Sequence, residues 1–83
     1  MALPANTNYA FRLAYDKLNE HFPPENTDEF AKKVLNEFRE LYVQSGEDML
    51  VKKLLYAVYD YLDEYARRTA IQEYYKDKES GLL

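Results

Sequence analysis

The stretch that decides the fold is residues 26–44, NTDEFAKKVLNEFRELYVQ. Phe30, Ala31, Val34, Leu35, Phe38, Leu41 and Tyr42 recur at three- and four-residue spacing and trace one wide apolar face, with Lys32, Lys33, Asn36, Glu37, Arg39 and Glu40 on the other. That period belongs to an amphipathic α-helix and not to a strand, whose sides alternate every second residue. Asn26 followed three residues later by Glu29 is a capping pair, and Asp28 and Glu29 suit the positive end of a helix. Asp28/Lys32 and Glu29/Lys33 are acid-before-base pairs one turn apart, each expected to add a few tenths of a kcal/mol, roughly. The spacing predicts a helix over 27–44.

Upstream, Phe11, Ala14, Tyr15, Leu18 and Phe22 form a second stripe, predicting a helix over 8–22 with Asn6 or Asn8 as its cap. Pro23-Pro24 stops it, because a residue before proline is pushed out of the α region. Downstream, Ser45-Gly46 ends the second helix, and Ser45 with Asp48 has capping-box spacing for a third. Leu50, Val51, Leu54, Ala57, Val58, Tyr61, Leu62 and Tyr65 then share a face, predicting a helix over 47–67. Asp63/Arg67 and Glu64/Arg68 repeat the favourable charge order. Beyond Ala66 the phase shifts, and Thr69 with Gln72 has capping spacing. A short fourth helix or a helical extension over 69–79 is therefore expected. The apolar run 54–59 has no partner strand, and the helical pattern continues through it. The fold class is all-α, a single domain over 1–83.

Composition narrows the function more by exclusion than by assignment. With 83 residues the core is small, and the absence of cysteine removes disulfides and thiolate metal sites. The formal charge is −4, from 15 acids and 11 bases, so phosphate backbones are repelled unless the bases cluster. Residues 1–8 lack a basic start and an apolar run, and no apolar stretch is long enough to span a bilayer. A cytoplasmic protein is expected. The polar faces are mixed in sign, which does not suit a membrane surface.

The lone histidine, His21, sits at the end of the first helix beside Lys17. A solvent-facing residue near the negative helix end is the expectation, since no cysteine or serine nucleophile pattern accompanies it. One histidine cannot supply the Glu-x-x-His pairs of a di-iron bundle, and two separated glycines make no phosphate loop. No catalytic residue, metal or cofactor is expected.

The third segment is apolar on nearly all sides, with Met49, Tyr56 and Tyr59 behind the main stripe. Tyrosine offers large contact area with a polar tip, which suits a protein interface. The expectation is a non-enzymatic helical protein acting through protein–protein interaction: an adaptor, a regulator, or a binder of the immunity or antitoxin type, with homodimerisation as one form of that association. The expected partner-binding residues are Met49, Leu55, Tyr56 and Tyr59, with Ile71, Tyr74 and Tyr75 as a second patch. The alternative is a nucleic-acid-binding regulator with a helix-turn-helix-like unit, using Lys52, Lys53, Arg67 and Arg68. Glu47, Asp48, Asp60, Asp63 and Glu64 on the same segment oppose it.

Overall fold

The computed structural model describes the backbone of residues 2–81 and the side chains of residues 2–73. Three helices follow one another: α1 (Thr7–His21), α2 (Asp28–Gln44) and α3 (Met49–Gly81). The fold is all-α, as the periodicity predicts. Asn6 and Phe22, at the two ends of α1, meet Asp48 and Tyr65 respectively, so α1 runs parallel to α3. The start of α2 lies beside Leu62 and Arg67 and its end beside Lys52 and Tyr56, so α2 runs antiparallel to α3. Both shorter helices pack on α3, which is therefore the central element.

α2 buries the face that its sequence predicts, with Val34 and Phe38 buried and Phe30, Leu35, Leu41 and Tyr42 half-buried. Its start lies one residue later than the capping pair suggests. Thr27 has extended backbone angles, and its Oγ1 accepts the Phe30 backbone N–H at 3.1 Å. Asn26 is one residue too early for that bond. The pairs Asp28/Lys32 and Glu29/Lys33 do not close into ion pairs, whereas Asp63–Arg67 and Glu64–Arg68 do, at 2.7 and 2.6 Å.

The α2–α3 turn uses Ser45 as a bridge and Asp48 as the cap. The Ser45 hydroxyl donates to the Tyr42 carbonyl at 2.6 Å and accepts the Asp48 N–H at 3.2 Å. Asp48 Oδ1 then accepts the Val51 N–H at 3.0 Å, satisfying a free donor in the first turn of α3. Gly46 takes a φ of 79°, and its N–H reaches back to the Val43 carbonyl, so the chain reverses within four residues. α3 accordingly starts at Met49 and not at 47.

The other two helices sit rotated from their predicted faces. On α1 the buried residues are Ala10, Ala14 and His21, while Phe11 is exposed and Tyr15 is 69% exposed. On α3 the buried line is Val51, Leu55, Val58, Leu62 and Ala66, and Tyr61 faces out. Each face is turned by less than one residue's rotation, about 70° at 100° per residue, so Ala14 on α1 and Val51, Val58 and Leu62 on α3 belong to both the expected and the observed faces. The reason is size. Alanines at 10 and 14 let the α1 backbone come close to α3, and aromatic rings at 11 and 15 would hold it away. Close approach along the whole of α1 buries more aliphatic surface on α3 than a ring wedged between the axes would.

No break at Thr69 separates a fourth helix. Residues 69–79 belong to α3, the extension that the sequence left as the alternative. The phase shift has another cause: among the described side chains Ala66 is the last buried one, Thr69 and Ala70 are half-buried, and 71–73 are exposed, so α3 has no buried face to maintain over 71–73.

Candidate functional site

The spacing between the helices determines where a groove forms. α1 lies close against α3 through its alanines, while α2 meets α3 through larger side chains and stands further off. The outer α2–α3 seam therefore stays open as a groove of about 210 Å³. Phe38 and Leu55 form its floor; Leu35 and Tyr42 line it from α2, and Tyr56 and Tyr59 from α3. Arg39 and Lys52 complete the lining, and no acidic residue contributes.

Lys52 is held by aromatic faces and not by a carboxylate. Its Nζ lies 5.8 Å from the centre of the Tyr42 ring and 6.0 Å from that of Tyr56, within range of cation–π attraction. Asp48, the cap residue one turn before Lys52, is turned to the Val51 N–H and the Asn6 amide. Among the described residues, neither Lys52 nor Arg39 forms an ion pair.

The residues expected to bind a partner fall into separate places. Tyr56 and Tyr59 both line the groove, Tyr56 at 53% exposure and Tyr59 half-buried against the core. Leu55 is corrected to a core residue: it is 2% exposed, on the line from Val51 to Leu62, and reaches the groove only as floor. Met49 is exposed at the first residue of α3 but does not line the groove, and Ile71 is exposed further along α3 than Ala66. Tyr74 and Tyr75 lie outside the described side chains. Leu35, Phe38 and Tyr42 complete the groove from α2, where the sequence suggested only core. Its signal was available in the width of the α2 stripe, which is broader than contact with one helix consumes.

A second apolar surface comes from the rotated helices. Phe11 and Tyr15 on α1, Phe22 just past its end, and Tyr61 and Tyr65 on α3 are all exposed. Phe22 and Tyr65 have ring centres 4.9 Å apart, and Tyr61 and Tyr65 are 6.0 Å apart.

His21 is not solvent-facing. It is buried, with its ring edge-on to Phe30 and Phe38 at about 6 Å and its Nε2 2.9 Å from Glu37 Oε1. Glu20, His21 and Glu37 bring three possible ligand atoms within 4.8 Å of one another. The Lys17 ammonium already occupies the charge centre of that cluster, 2.9 Å from Glu20 and 3.6 Å from Glu37. The Glu20 hydrogen bond is the main cause that raises the Lys17 pKa above 10.5, and partial burial opposes it. The same hydrogen bond, with the Lys17 charge, lowers the Glu20 carboxyl below its ordinary range. The cluster ties α1 to α2, with the Lys17 ammonium shared between the two carboxylates.

The bases of the nucleic-acid alternative do not gather into one patch. Arg67 and Arg68 are held by Asp63 and Glu64, and they lie about 20 Å along α3 from Lys52 and Lys53, at roughly 1.5 Å per residue. Among the described residues, no helix is long and apolar enough to cross a membrane. Comparison of the chain with protein-family models, with curated proteins and with solved structures finds no match.

Proposed function

We propose that this protein is a non-enzymatic helical binder that engages another protein through the α2–α3 groove. The observation that carries the reading is an open, largely apolar seam walled by three tyrosines, Tyr42, Tyr56 and Tyr59. Its volume argues for side chains as the contents. Small-molecule sites typically run about 300–1,000 Å³, whereas a cavity of roughly 150 Å³ already accepts a benzene-sized ring. One or two anchoring side chains of a partner fit 210 Å³.

The full chain as bait, beside a Leu35→Ser/Tyr56→Ser pair, tests this. A partner retained by the wild type is expected to be weakened about thirtyfold on the pair, the equivalent of one hot-spot contact of about 2 kcal/mol. The pair keeps its helicity, since neither side chain is fully buried. Equal retention by both proteins removes the groove as the site.

The aromatic row on α1 and α3 supports a second reading, self-association. A whole aromatic side chain buries about 150–250 Å², so five roughly half-exposed rings offer on the order of 500 Å². A standard interface uses about 800 Å² per partner. A homodimer through this row is therefore weak and concentration-dependent. Light scattering across a concentration series is expected to show a dimer that Tyr15→Ser/Tyr61→Ser returns to monomer. A wild type monomeric at every concentration removes the row as a dimer interface.

A further inference from the structure

We infer that the occupant of the α2–α3 groove is an amphipathic helix of another protein carrying a carboxylate within one turn of its apolar anchor. The inference rests on the groove being a docking site and goes on to specify the chemistry of what docks. The groove lining contains two cations and no anion, on a chain whose net charge is −4. The cations stand on opposite walls, Arg39 on α2 and Lys52 on α3. Both are exposed, and neither is paired among the described residues.

The position of Lys52 matters most. Its ammonium stands at the groove lip near both the Tyr42 and Tyr56 rings, so an incoming carboxylate meets a cation beside the apolar anchor site. An acidic group beside the anchor then gains a partner on each wall, while a basic group there is repelled by both. Specificity by charge at the rim and affinity by burial at the centre is the usual division in such interfaces.

Shape selects a helix. The seam lies between two antiparallel helices, α2 and α3, and one or two turns of a third helix set over its Lys52–Tyr59 stretch present side chains three and four residues apart to the same line. Past Tyr59 the seam is lined by Asp28, Asp63 and Arg67. The volume takes the anchor and little more. A second copy of this chain is the poorer occupant. A two-fold dimer through the groove is self-complementary, so it would bring Arg39 and Lys52 of each copy against the same cations of the other.

A display library of helical peptides tests this, with aromatic or aliphatic anchors at i and i+4 and all other positions randomised over both charge signs. Selection runs in parallel on the wild type, on Arg39→Glu/Lys52→Glu and on Tyr56→Ser. The wild type is expected to enrich Asp and Glu within one turn of an anchor. The charge-reversed pair is expected to enrich Lys and Arg there, and to bind the wild-type selectants at least about tenfold more weakly, about 1.4 kcal/mol. Peptides that bind the wild type and lose affinity on Tyr56→Ser, yet show no charge preference or no response to reversal, overturn the inference and leave the groove as a docking site. No enrichment on the wild type overturns both. A dimer that Lys52→Glu dissociates assigns the groove to a second copy, and retention of a 20-nucleotide single strand displaced by Lys52→Glu assigns it to nucleic acid; either result overturns the inference.

Discussion

Leu62→Ala is expected to destabilise the domain by about 3 kcal/mol, while Tyr61→Ser, one residue away, costs under about 1 kcal/mol. Leu62 is 1% exposed and among the largest fully buried side chains, and Tyr61 is half exposed on the outer side of the same helix. Truncating Leu62 loses the transfer free energy of its methyl groups and leaves a cavity that the surrounding helices cannot fully collapse around. A domain of this size holds only on the order of 4–12 kcal/mol in total. The loss is therefore a large share of its stability, and the melting temperature is expected to fall by roughly 12–24 °C. Urea melts give the midpoints, with an unchanged slope showing that the same surface unfolds. Equal losses at 61 and 62 would place both residues in the core and contradict the rotation of α3.

His21→Ala is expected to cost about 2–3 kcal/mol, far more than a terminal surface histidine would. The ring fills the space between Phe30 and Phe38, and its Nε2 bonds Glu37, so one truncation opens a cavity and breaks a tie between α1 and α2. Lys17 remains near Glu37, which limits the penalty to the packing and one hydrogen bond. His21→Gln keeps a donor at similar reach and is expected to recover part of the loss. A change below about 0.5 kcal/mol for His21→Ala, read from urea midpoints, would return His21 to the solvent.

The parts of the fold that were legible in the sequence are those where pattern and packing obey the same rule. α2 packs on one helix with one broad face, and its seven apolar positions named that face. The ends of α1 and α2 and the start of α3 were legible to within a residue or two, because Pro23-Pro24 and Ser45-Gly46 punctuate the chain, whereas the end of α3 lies well past the expected 67. α1 and α3 were misoriented for a shared reason. Hydrophobic periodicity weights large residues, but at the α1–α3 contact the small ones, Ala10 and Ala14, are buried and the rings lie outside. His21 misled for the opposite cause: a polar residue at a helix end is usually exposed, and only the long-range approach of Glu37 makes its burial affordable.

The candidate site followed the same pattern. Tyr56 and Tyr59 stood out as surplus apolar residues, and both line the groove. Leu55 did not belong with them, because a one-residue change of phase separates the floor of the groove from its wall. Leu35, Tyr42 and Arg39 come from a helix 10 to 21 residues earlier in the chain, and their meeting with Lys52 and Tyr56 depends on the standoff between α2 and α3. No local spacing in the sequence encodes that distance.

Photo-cross-linking from position 56 tests the docking claim most directly, since it reads proximity and not only loss of binding. A benzophenone side chain in place of Tyr56, in the full chain and in the cells that encode it, is expected to give a discrete adduct with a different protein. The same group in place of Asn19, exposed on α1, should not give that adduct. Identical adducts from both positions, or none from position 56, would contradict the assignment of the α2–α3 groove as a protein-binding site.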